Sequence, residues 1–247
     1  MSPCAVGRSY DGRAVQLEFG LEGKYMKKIV IALVVLLSTT AAMAGRGDDV
    51  DRLQSGATVI KEIMSAPDSG VPEEVINNAK CIAVIPSMLK AAFGVGGAYG
   101  KGVASCRTPK GWSAPAFFSV RGGSFGFQIG GQAADIVMLI MNDAGMSNLL
   151  ASKFKLGADA SVAAGPVGRH ADASTDWKMR AQVLTYSRTR GIFAGISLNG
   201  AVITEHKDDT RDFYGRMVPF RTILLGNIAS PKEAEIWHDT LQKYAGK

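Results

Sequence analysis

Histidine is scarce in this chain, and its three copies, His170, His206 and His238, are scattered with no ligand spacing between any pair. No G-x-S-x-G elbow presents a serine nucleophile. The glycine-rich stretch GVGGAYGKG (Gly94–Gly102) fails twice as a phosphate loop. Val95 stands where G-x-x-x-x-G-K-[ST] requires its first glycine, and Lys101 is followed by Gly102 instead of a hydroxyl residue. No helix pattern follows it to complete a dinucleotide unit, so these glycines read as strand bends. Lysine and arginine never gather into a dense run, which removes the usual mark of a nucleic-acid partner, although the formal net charge is +6. These absences leave no catalytic residue, metal centre or cofactor to assign. The sequence reads as that of a non-enzymatic protein.

Long apolar runs are missing too. The unbroken segment Ile29–Leu37 falls short of the ~20 residues a membrane-crossing helix needs. Met26-Lys27-Lys28 precedes it and Ala42-Met43-Ala44 follows it, the order of a secretory signal peptide with its cleavage site. Residues 26–44 are therefore expected to be a leader. Residues 1–25 read as an upstream segment before a start at Met26, and 45–247 as a single domain. The protein is expected to be exported, and periplasmic, associated with the outer membrane, or secreted. Of three cysteines, Cys81 and Cys106 lie beyond the leader. They either form one disulfide or are two small buried apolar residues.

The region after the leader carries two kinds of pattern. Val50, Leu53, Ala57, Ile60 and Met64 recur at helical spacing within Asp48–Ser65, and Ala66-Pro67 ends that helix. Pro72–Lys80 and Pro231–Tyr244 each open with proline and glutamates suited to a helix start. Asn142–Ser152 reads as a short helix. Between them lie strand candidates: Cys81–Pro86, Ala91–Ser105, Ala114–Val120, Lys153–Gly165, Ala181–Thr189 and Gly191–Thr204. Asn199-Gly200 signals a hairpin within the last. Arg121–Asn142 reads as one bent strand through the domain's centre, with Asp135 as a buried polar tie. Glycines within successive strands suit a sheet that bends sharply. The fold class expected is α+β: a strongly twisted antiparallel sheet or small barrel-like β core, with N- and C-terminal helices.

The basic residues Lys101, Arg107, Lys110, Arg121, Lys153, Lys155, Arg169, Arg188 and Arg190 fall in or beside these strands. Lys153 and Lys155 are two apart and share a strand face. If the turns gather, these residues form a basic rim for anionic headgroups. The carboxylate groups Asp48-Asp49-Asp51 and Asp208-Asp209-Asp212 read as helix caps and solvated faces.

An ordered series then resembles the SYLF family, also called the Ysc84 actin-binding domain family. It comprises GGSFGFQIGGQAADIVMLIMN, KFKLGADASVAAGPVGR, YSRTRGIFAGISLNGAVI and DFYG. Gly126, Gln128, Gly130, Asp135 and Asn142 match its core pattern, as do Gly165, Pro166, Gly168 and Arg169, and Gly191, Phe193, Gly195, Leu198 and Gly200. The resemblance implies binding of acidic phospholipid, assisted by an amphipathic N-terminal segment, here Asp48–Ser65. The expectation is a non-enzymatic phospholipid-binding protein of the bacterial cell envelope, whose partner is an anionic phospholipid or membrane surface. The alternative is an envelope structural or protein-interaction module. Nucleic acid is excluded, and actin is not expected as a partner of an exported chain.

Overall fold

Apolar residues at steps of three and four fold residues 45–65 into a helix, α1, whose Leu53, Ala57, Ile60 and Ile63 are fully or nearly buried. Our computed structural model describes residues 45–66, 70–93, 95–125, 130–167, 180–189, 192–195 and 198–246. The expected leader and the segment before it lie outside these residues. A short helix, α2 (Glu73–Asn78), begins after Pro72 with two glutamates in its first turn. At the far end Pro231 leads a 3-10 turn, Lys232–Ala234, into α6 (Glu235–Ala245).

Ten strands form the β core. They are β1 (Cys81–Phe93), β2 (Val95–Thr108), β3 (Gly111–Trp112), β4 (Ala116–Phe125), β5 (Gly130–Ile140), β6 (Lys153–Lys155), β7 (Val162–Ala164), β8 (Val183–Thr189), β9 (Ile192–Gly195) and β10 (Val202–Glu205). Their order is β6-β10-β4-β2-β1-β5-β8-β7, with β3 on β2 and β9 on β8. Every pairing is antiparallel except β7 with β8, which is parallel. Three further helices are inserted: α3 (Asp143–Leu150), α4 (Lys207–Tyr214) and α5 (Phe220–Leu224). Asn142 caps α3 by accepting from the Gly145 N–H at 2.9 Å.

The connection from β6 to β7 shows why the sheet must curl. These strands stand at opposite ends of the order, yet only residues 156–161 join them. Eight strands laid flat would separate the two edges by ~34 Å, whereas the joining chain reaches at most ~25 Å. The sheet therefore rolls into a half-barrel, and β9 and β10 make a second crossing between the same edges. The expected α+β class with a twisted, barrel-like core and helices at both ends is the architecture found.

Three local expectations are corrected by the pairing. Arg121–Asn142 is not one bent strand, because Arg121–Phe125 belongs to β4 and Gly130–Ile140 to β5, with β2 and β1 between them. Lys153–Gly165 splits into β6 and β7 on opposite edges. Asn199-Gly200 does form a turn, with Gly200 at φ +86°, but β9 and β10 do not pair across it. Conversely, the separate candidates Cys81–Pro86 and Ala91–Ser105 are joined and re-divided. β1 runs on to Phe93 through a bulge between Val84 and Leu89, and Phe93 then pairs with Val95 of β2.

Alternation puts a separate apolar cluster on each face of the sheet. One joins Ile82, Val84, Val103, Phe117, Val137 and Leu139 to α1, α2 and α6. Trp237 of α6 is buried there and donates to the Ser105 hydroxyl at 2.9 Å. The other gathers Phe118, Val120, Ile136 and Met138 under α3 and α5. Cys81 and Cys106 are register partners on β1 and β2 and form a disulfide, 25 residues apart in the chain.

Candidate functional site

On the face that carries α1, the row Val137–Val84–Val103–Phe117 crosses four strands under the helices and is buried. Further along the same strands, past the β1 bulge, no helix among the described residues covers this face. A second row then crosses the sheet on this face: Leu89, Tyr99, Arg121, Val202 and Lys155, each the register partner of the next. Leu89 is 61 % exposed and Tyr99 41 %, unusual values for large apolar side chains on central strands. Arg121 and Lys155 are exposed beside them. The Arg121 guanidinium lies 5.6 Å from the centroid of the Tyr99 ring, within cation–π range. Between the two rows lie Lys101, Ser119, Thr204 and Lys153, again successive partners.

Four of the basic residues singled out in the sequence, Lys101, Arg121, Lys153 and Lys155, thus share one face of neighbouring strands. No carboxylate stands in either row. Among the described residues no acidic side chain forms an ion pair with Arg121, Lys153 or Lys155, although the Asp159 carboxylate accepts the Lys155 backbone N–H at 2.7 Å. Lys101 differs, because its ammonium donates to Asp209 Oδ1 at 2.9 Å.

That contact belongs to a charged cluster where α1 and α4 meet the sheet. Arg52 of α1 donates to Asp49 Oδ1 at 2.9 Å and to Asp209 Oδ2 at 2.8 Å. Asp49 is 1 % exposed, and its Oδ2 has no hydrogen-bond partner. Burial, with Asp209 nearby, raises its carboxyl to about 7 against the pull of Arg52. His206 accepts the Asp209 N–H through Nδ1, capping α4, and burial lowers its basicity. The expectation that Asp49 and Asp209 are solvated is therefore corrected: each faces inward from its helix to meet a cation.

The remaining basic positions lie elsewhere. Arg188 on β8 grips Asp135 on β5 with its Nε and a terminal nitrogen, at 2.8 and 2.5 Å, and also pairs with Glu62 of α1. Arg107, at the other end of β2 from Tyr99, donates to the carbonyls of Ala79 and Asn77 and stacks 4.6 Å from the Trp112 ring centroid. Lys110 is exposed in the turn before β3. Arg169 and Arg190 lie outside the described residues. Leu89 and Tyr99 escape sequence reading, because their shared face depends on the β1–β2 register and on the bulge.

The apolar stripe of α1 is also committed. Leu53, Ile60 and Ile63 have no exposed surface, so this face packs on the sheet and cannot enter a membrane while docked. That corrects the expectation that the apolar stripe of Asp48–Ser65 is free for lipid contact.

A family model described as "Las17-binding protein actin regulator", Ysc84, matches residues 121–244, about half of the chain. SH3 domain-containing YSC84-like protein 1 of Rattus norvegicus is 35 % identical over 185 residues, 74 % of this chain and 54 % of that protein. Its Homo sapiens namesake is 34 % identical over the same shares. LAS seventeen-binding protein 3 of Saccharomyces cerevisiae is 36 % identical over 168 residues, 66 % of this chain and 36 % of that protein. The chain spans about half the length of the first of these relatives, or less of the yeast one.

Proposed function

The chain belongs to the Ysc84 family, and from that premise we propose that it is a non-enzymatic phospholipid-binding protein of the cell envelope, docking on anionic membrane through the uncovered sheet face. The observation that carries this reading is the outer row of β1, β2, β4, β10 and β6. It combines a half-exposed aromatic ring, an exposed leucine and two exposed cations without a carboxylate among them. Tyrosine suits the boundary between headgroups and acyl chains, and each basic residue near an anionic surface contributes ~1 kcal/mol at low salt.

Vesicle co-sedimentation tests it. Binding is expected to rise with the fraction of phosphatidylglycerol in phosphatidylcholine vesicles and to fall with added salt. Replacing Arg121 and Lys155 together by alanine removes ~2 kcal/mol, so affinity drops by roughly 30-fold. Indifference to phosphatidylglycerol, or unaltered binding by the double variant, overturns the reading.

A second reading, a protein-binding module, is supported by the names of the relatives. One is called a LAS seventeen-binding protein, and the family description is of an actin regulator. Those names give no support to leaving actin out, so actin filaments belong in the same sedimentation experiment. Pelleting with filaments but not with vesicles would favour this second reading.

A further inference from the structure

Between α1 and the β1 bulge lies a pocket of about 530 Å³, separate from the proposed docking row and touching the apolar clusters only at Val59. One wall is a polar stripe of α1: Asp51, Gln54, Ser55 and Thr58, at helical steps of one, three and four. The opposite wall is the bulge itself, with Ser87, and the strand residues Asp135 and Arg188.

This second wall is held in a costly shape. Ser87 has φ +52°, a conformation that a serine adopts only when its surroundings impose it. Asp135 imposes it by accepting the Ser87 N–H at 2.8 Å through Oδ1, while its Oδ2 receives Arg188. The ionic groups of this wall are thus spent on one another. Arg188 faces both Asp135 and Glu62, so no uncompensated cation is left to draw a phosphate or a carboxylate.

What the pocket offers a ligand is mostly neutral. Gln54 brings both kinds of hydrogen-bonding group, and Ser55 and Ser87 bring hydroxyls. The Thr58 hydroxyl already donates to the Gln54 carbonyl at 2.9 Å, which leaves it as an acceptor. Asp51 adds one exposed carboxylate, whose pull on a cation is screened by water and salt. Among the described residues no aromatic ring lines it. Acceptors outnumber donors, and they are spread round a volume in the range of small-molecule sites.

We propose that this pocket binds a neutral polyhydroxylated molecule, a sugar or polyol. Its hydroxyls donate to Asp51 and Thr58 and exchange hydrogen bonds with Gln54, Ser55 and Ser87.

Saturation-transfer NMR on the purified protein tests this, with glucose and mannitol as probes and acetate and ethylammonium as charged comparators. Glucose or mannitol should give a saturable signal at about millimolar affinity, weakened by about tenfold or more in Ser55→Trp. Ser55 is exposed on α1, so the indole occupies the pocket without disturbing the core, which an unchanged thermal melt verifies. Arg121→Ala with Lys155→Ala should leave the sugar signal intact, which separates this site from the membrane face. Absence of any polyol signal, equal binding by Ser55→Trp, or preference for ethylammonium or acetate overturns the proposal.

Discussion

At the scale of single residues, Asp49 makes the strongest demand. Its carboxyl rises from an ordinary value of 3.8 to about 7, first because it is buried and next because Asp209 is close. A raised acid means that the folded state holds the proton more tightly than the unfolded one. The contribution of Asp49 is therefore full below pH 4, is lost as pH rises toward 7, and stays lost above. His206 works in the opposite sense: burial lowers it from 6.5, so its contribution is present above that value and fades as the solution acidifies. Asp49→Asn isolates the first effect, because the His206 contribution is common to both proteins. Urea unfolding should show the variant gaining on the parent between pH 4 and 7, by roughly 2–4 kcal/mol in total. A difference that stays flat with pH would contradict a carboxyl whose burial outweighs the pull of Arg52. Such burial is not legible in DDVDR or DDTRD, because an inward aspartate looks like its solvated neighbours until the cation across the interface is known.

At the scale of elements, glycine was the informative residue. Strands rich in it are expected where backbones pass closely, and Gly102 of β2 is such a place. A Cβ there would lie 2.5 Å from Phe118 Cζ and 2.7 Å from the Val84 carbonyl oxygen. Gly97, on the same strand, would meet nothing nearer than the Gly122 oxygen at 4.0 Å. Gly102→Ala should cost about 1–3 kcal/mol through overpacking, and Gly97→Ala should cost nothing measurable or stabilise slightly. Equal losses in urea titrations would mean that strand propensity governs both sites instead of close approach. The same strands mark the limit of what local pattern conveys. Helices α1, α2, α3 and α6 were legible from periodicity and capping, and the β core from its apolar segments. The pairing was not, because β6 and β7, neighbours in the chain, take opposite edges, and only the curl of the sheet reconciles them. Helices α4 and α5 were also missed. The α4 segment, KDDTRDFY, is mostly polar, and α5 is five residues long, too short for a period to emerge. For the candidate face, Lys153 and Lys155 could be placed together by alternation alone. Leu89, Tyr99 and Arg121 join them only through inter-strand register.

At the scale of the whole molecule, β1 and β2 connect a buried end to the exposed end that we propose docks on membrane. Their Cys81–Cys106 end lies among buried residues, whereas their Leu89–Tyr99 end carries the uncovered row. A bridge across 25 residues restricts the unfolded chain and contributes ~3 kcal/mol in the chain-entropy model. For a domain of this size each kcal/mol corresponds to about 2–4 °C, so Cys81→Ala with Cys106→Ala should lower the melting temperature by about 6–12 °C. Because β2 stays paired with β4 without a break from Val95 to Ala104, strand pairing persists in the double variant below its new melting point. The outer row then keeps its register, and vesicle binding at 20 °C should match the parent within about twofold. Calorimetry and vesicle sedimentation on the same double variant read the two ends separately. A lowered melting temperature with intact binding is the expected pair of results. Loss of binding at a temperature where the variant is still folded would mean that the bridge sets the arrangement of the docking face, not only the stability of the sheet beneath it.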